Sequence, residues 1–282
     1  MNITINLANY QQQLNDLSTL DSDVVIDSIT FEEDLPIQEL YLEDLTLKKL
    51  NVNKLTSLQR LYCNNNEELT NLDLTGLKQL KVLSCKNDDL EELNLTALIE
   101  LEELYCSDNN LKTLNLSTVP KLRVLFCDYN NFEDVDLSSV QLLEEASIVN
   151  CNIRNLDVSK LKNLKLFKCD YNRLTRLNLN NLTYLEKVDC SYNEISNLSL
   201  ANLGKLTFLN CSHNRLRELD LSAVKELEQL DCYHNEIERL NLSEVVNLQM
   251  LNCLVNKINY LDISKLPKLV EVAYDDNVTV NN

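Results

Sequence analysis

Leu206–Glu226 reads LTFLNCSHNRLRELDLSAVKE, and Leu227–Asn247 repeats it as LEQLDCYHNEIERLNLSEVVN. Numbered from 1 to 21, each copy has apolar residues at slots 1, 4, 11, 14, 16 and 19, Cys at slot 6 and Asn at slot 9. Slot 1 recurs from Leu101 to Leu269 without a slip. A fixed period of this length specifies a solenoid, whose coils bury their apolar faces by stacking on one another.

Within a coil, slots 3 to 7 alternate outward and inward, the pattern of a half-buried strand. Stacked coils therefore pair these strands into a parallel sheet at a spacing of about 4.8 Å. An amide at slot 9, where the chain turns inward, can satisfy backbone groups of its own and the neighbouring turn, giving an asparagine ladder. Asp88 and Cys151 interrupt it, and their coils are expected to be locally weaker. The second half repeats the spacing of the first, often as Leu-Asp/Asn-Leu-Ser, as in Leu219–Ser222. Too few residues remain there for a helix and two turns. The back is expected to be extended or irregular, and the solenoid only weakly curved.

Outward from the regular core, residues 1–36 read as an N-terminal cap with a degenerate half repeat. Ile3, Ile5 and Leu7 alternate as a strand would, and Tyr10, Leu14 and Leu17 share one helical face. Ile26, Ile29 and Phe31 match slots 11, 14 and 16. Repeats fill residues 37–268, about eleven of them, and residues 269–282 form a truncated last repeat. The coil from Leu58 has 22 residues, the extra one in NNNEEL after Cys63.

The net charge is -18, and residues 1–50 hold 10 acidic residues against 2 Lys. Such a surface repels nucleic acid and anionic lipid and favours a basic protein partner or simple solubility. No apolar run approaches membrane-spanning length. The first residues, MNITINLANYQQQ, lack the basic and apolar regions of a secretory leader. A cytoplasmic location is expected, or an effector exported without such a leader. Nine of the 10 Cys share slot 6, flanked by apolar slots, as small buried hydrophobes would. No CxxC-like pair suggests zinc. Reduced, buried thiols are expected.

The pattern LxxLxCxxNxLxxLDLSxLxx resembles leucine-rich repeats, and within them the 21-residue class called IRREKO, over about residues 37–282. The resemblance implies a right-handed, β-rich solenoid of about 11–12 coils, with a parallel sheet on one face that presents a binding surface. Members typically bind proteins and are found mostly in bacteria and some protists. The motif is structural and supplies no catalytic residue or cofactor.

Function then rests on the outward slots. Slot 8 carries Tyr129, Tyr171, Tyr192, His213 and His234, broken by Asn150; slot 5 carries Tyr41, Tyr62, Tyr105 and Phe126. Phe208 at slot 3 and Tyr233 at slot 7 extend the aromatic set, and Asp189 and Asp231 make the same face acidic. Aromatics on a rigid sheet are frequent interface anchors, and a basic partner could stack Arg on Tyr. The leading expectation is a non-enzymatic protein-binding scaffold of inhibitor, adaptor or effector type, with no cofactor. One alternative is self-assembly or weak homodimerisation through an uncapped C-terminal coil. Another is a metal site at His213 and His234, which stacking brings within about 5 Å. For every slot the plain alternative is that cross-strand neighbours merely cover one another.

Overall fold

The computed structural model describes residues 1–20 and 24–282, in two compact units, Met1–Val140 and Gln141–Asn282. Both are built from parallel strands that advance by one repeat per strand, about twelve turns in all. In the first unit the front sheet comprises Glu39–Tyr41, Arg60–Tyr62, Val82–Ser84, Glu103–Tyr105 and Val124–Phe126. In the second it comprises Glu145–Ser147, Leu166–Lys168, Lys187–Asp189, Phe208–Asn210, Gln229–Asp231, Met250–Asn252 and Glu271–Ala273. These strands occupy slots 3 to 5. The register is strict: Glu103 faces Val124, and Lys187 faces Phe208.

The strand is short because slot 8 leaves extended space. Asp44, Asn65, Asn87, Asp108, Tyr129, Asn150, Tyr171, Tyr192, His213, His234 and Val255 all have φ between 50° and 60°. This left-handed step turns the chain inward and delivers slot 9 to the interior. Asn, Asp and His tolerate it best, Tyr less, and β-branched Val least.

Slot 9 then satisfies the turn as expected. Asn193 donates its amide to Cys169 O at 2.9 Å, Cys190 O at 3.2 Å and Ser191 O at 3.0 Å, and accepts from Leu174 N–H at 2.9 Å. Asn109, Asn130, Asn172, Asn214, Asn235 and Asn256 repeat the pattern. The coil with Cys151 is rescued from the next one, because Asn172 Oδ1 accepts from both Cys151 N–H and Ile153 N–H. The slot 6 cysteines lie beneath the strands, and all ten thiols of the chain are free and buried.

The back is extended and irregular, with short pairs such as Leu177–Asn178 with Leu198–Ser199. Its Leu-Asx-Leu-Ser motif has a local cause. The slot 15 Asx oxygen accepts the slot 17 N–H, as Asn115 does from Ser117 at 3.0 Å and Asp220 from Ser222 at 2.9 Å. These Asx turns bend the chain without helical hydrogen bonds. Slot 18 can also be left-handed, at Gly76, Asn181 and Asn202. Gly76 has φ 90°, and a Cβ there would lie 2.8 Å from Asn53 O.

The sequence expectations at the two ends need adjustment. The opening strand is Asn2–Ile5, and it pairs with Ser28–Phe31 on the back sheet, Ile3 beside Ile29. Leu7 lies beyond the strand and is exposed, while Leu17 of helix Tyr10–Leu17 is buried. The matches of Ile26 and Ile29 to slots 11 and 14 hold, since they pair with Leu47 and Leu50. At the other end Asn277, which the sequence places at slot 9 of the last repeat, is exposed and does not extend the ladder. The Asp275 carboxylate serves there instead, accepting from Val255 and Asn256 N–H at 3.0 and 3.2 Å. Thr279–Asn281 folds back onto Tyr260–Asp262.

Candidate functional site

The aromatic slots fall into both units. Tyr105, Phe126 and Tyr129 belong to the first. There Tyr105 and Phe126 meet edge to face at 5.5 Å, and Tyr41 stacks on Tyr62 at 4.8 Å. Tyr129 is 52% exposed on its left-handed step.

The second unit holds the continuous part. Tyr171 stacks on Tyr192 at 4.1 Å, Tyr192 on His213 at 3.9 Å, and His213 on His234 at 4.8 Å. Tyr233 meets His213 edge-on at 4.9 Å. One slot repeated at strand spacing builds this ribbon, because stacked coils place equivalent side chains one above another. Its geometry corrects one expectation. Both faces of Tyr192 and of His213 are occupied by ring neighbours, so an arginine cannot stack on these inner rings. The ribbon offers ring edges, hydroxyls and imidazole nitrogens to a partner.

The planes of His213 and His234 lie 23° apart in a stack. Among the described residues no group of three or more His, Cys, Asp or Glu could hold a metal ion. Burial, and then the neighbouring His234, push the His213 pKa below its ordinary value, while Asp231 pulls the other way.

Asp189 and Asp231 also prove to be more than a charged edge. Asp189 accepts from Ser191 N–H and Oγ–H and, at 3.0 Å, from Asn210 Nδ2. Asp231 accepts from Tyr233 N–H at 2.9 Å and from Asn252 Nδ2 at 3.3 Å. Slot 5 therefore carries two cross-coil pairs, Asp189 with Asn210 and Asp231 with Asn252, which the sequence reading missed. Their signal was the Asp/Asn alternation at a slot two residues before a turn. Beside them runs an open groove of about 330 Å³ lined by Phe208, Gln229, Asp231, Met250, Leu254 and Glu271.

Burial pushes inward thiols up, to about 12 at Cys253 and well above the ordinary value at Cys63, Cys85, Cys169, Cys211 and Cys232. Among the described residues no helix is long and apolar enough to cross a membrane.

Parallel strands, a buried asparagine ladder and a buried cysteine ladder define a solenoid protein made of one repeated coil. No family model and no curated protein matches the chain. Solved structures do. The functional domain of InlJ from Listeria monocytogenes, described as including a cysteine ladder, is 30% identical, with a TM-score of 0.81. That match covers 85% of this chain and 54% of the other, so the chain spans about half of that relative. An internalin from Listeria monocytogenes is 21% identical, with a TM-score of 0.64, covering 87% of this chain and 86% of its own. A leucine-rich repeat protein from Leptospira interrogans is 19% identical, with a TM-score of 0.63 and coverage of 98% and 88%. The chain is a leucine-rich repeat protein with 21-residue repeats.

Proposed function

We propose that this chain is a non-enzymatic protein-binding scaffold whose partner docks on the aromatic ribbon of the second unit and the adjoining groove. The observation that carries this reading is the residue choice at slot 8. The left-handed step is served well by Asn or Asp, as at Asn65, Asn87, Asp108 and Asn150. Tyr171, Tyr192, His213 and His234 instead occupy it in four successive coils, with Tyr171 half exposed and Tyr192 40% exposed. Tyr at such a backbone position costs of order 1 kcal/mol, and strain of this kind clusters at functional sites. Exposed rings held in a fixed row also lose little entropy on binding. The leucine-rich repeat neighbours support a binding role of this general kind. The partner is a protein, made favourable by basic residues given the net charge of -18. Tyr105, Phe126 and Tyr129 form a secondary contact set in the first unit. The reading assigns no catalytic residue and no cofactor, and places the protein in the cytoplasm.

The test is affinity capture from the source cell with the full chain and with Tyr171→Ala/Tyr192→Ala. A partner retained by the parent and weakened at least ~30-fold by the double variant, about 2 kcal/mol, supports the proposal. A partner held equally by both, or a nucleic acid as the captured species, contradicts it.

A further inference from the structure

At one of the two interruptions of the asparagine ladder a carboxyl stands where the other coils have an amide. Asp88 stands at slot 9 and is only 8% exposed. Its Oδ1 accepts from Asn66 N–H at 2.8 Å. Its Oδ2 is fully buried and has no partner, the one such side-chain oxygen or nitrogen among the described residues. In the intact members the amide oxygen accepts a backbone N–H of the preceding coil, and the amide nitrogen faces the carbonyls of slots 6 and 7, as Asn109 faces Cys85, Cys106 and Ser107. Oδ1 of Asp88 fills the accepting role, which leaves Oδ2 in the place of the donating nitrogen. By equivalence with Asn109, a carboxylate oxygen there would face carbonyl oxygens and be repelled. A protonated one would donate to them.

We infer that Asp88 is held as the neutral acid, an amide substitute whose proton completes the ladder, and that its ionisation makes this part of the first unit a pH-sensitive element. The surroundings agree. The Asp88 charge acts on the buried thiols of Cys63 and Cys85, and Glu43 also acts on Cys63, while no opposite charge is among the influences on Asp88 itself. Lys86, on the same coil, exerts its field on Asp108 and lies over the Tyr105 ring. Among the described residues no ion pair reaches Asp88. Burial pushes its carboxyl up to about 7, and the Asn66 N–H pulls only partly against it. The preceding coil, from Leu58, is the one with the extra residue, and Leu69 N–H closes on Asn66 O at 2.7 Å. Asn66 thus couples the carboxyl to the bulged turn.

The sign follows from proton linkage. A carboxyl whose folded pKa lies above its unfolded value of 3.8 binds more protons folded than unfolded between 3.8 and about 7. Its stabilising effect is full below 3.8, is lost as pH rises through the folded pKa, and stays lost above it.

The experiment compares the full chain with Asp88→Asn, which restores the amide. Carbon-13 spectra of the labelled parent follow the Asp88 carboxyl, assigned by its absence in the variant. A midpoint near 7 supports the inference; a midpoint near 4 overturns it. Thermal unfolding of both proteins at pH 5 and pH 8 gives the second reading. The advantage of Asp88→Asn should widen as pH rises, by about 100-fold in the unfolding constant between pH 5 and pH 8, where about two pH units of the displacement fall. A constant difference between the two proteins overturns the inference. So does a parent whose stability at pH 8 is restored by sodium or potassium ions but not by choline, which would make the place a cation site.

Discussion

Asn193 shows how one side chain can hold two coils. Its three donations and one acceptance link its own turn to the coil before it. Asn193→Ala strands buried backbone groups and should cost roughly 3–5 kcal/mol, since each unsatisfied group costs about 1–3 kcal/mol. Chemical denaturation measures this, and a loss below ~1 kcal/mol would mean that the turn re-pairs by itself. Asn193→Asp should add a pH dependence, with the loss growing from pH 5 to pH 8, because the buried carboxyl must ionise or stay protonated. Tyr192 makes the opposite case. Tyr192→Asn removes two stacked contacts, each worth about 0.5–1.5 kcal/mol, but relieves a strained left-handed Tyr. Stability should change by less than ~1 kcal/mol, whereas partner affinity falls.

At the scale of the element, the front strand with its cysteine slot was legible from sequence because period 2 and period 21 agree there. The asparagine slot was legible because an amide can donate to several carbonyls and accept from an N–H at one buried point. The left-handed step was not read from slot 8, although Asn65, Asn87 and Asp108 are the residues that favour it. Tyr129, Tyr171, Tyr192 and Val255 hid the signal, being residues that avoid this conformation. The same oversight suggested free ring faces, which only the stacking geometry removes. The Asx turns of the back were likewise written in Asp220–Ser222 and its equivalents, but an alternating pattern alone cannot distinguish a turn from a strand. The cysteine ladder makes its own prediction. Native protein at pH 8 should react slowly with a thiol reagent, and denatured protein should yield ten free thiols. Cys253, whose thiol burial pushes up only to about 12, should react first. Early reaction of Cys190, which is fully buried, would contradict the packing.

For the molecule as a whole, the charge of -18 outweighs the cross-coil ion pairs. Arg60 with Glu39, Lys121 with Glu100 and Arg215 with Glu194 are all exposed and worth little each. Added salt should therefore raise the melting temperature by screening self-repulsion, and a fall between low and physiological ionic strength would show that the pairs dominate. Under the proposed function the aromatic ribbon is where a partner gains contact rather than charge alone. Amide hydrogen exchange of the chain, alone and bound to its captured partner, tests this claim most directly. The account predicts new protection confined to 166–171, 187–192, 208–213, 229–234, 250–255 and 271–273, the strands and left-handed steps that carry the ribbon and groove. Protection confined to the Asx turns of the back, with these segments unchanged, would contradict it.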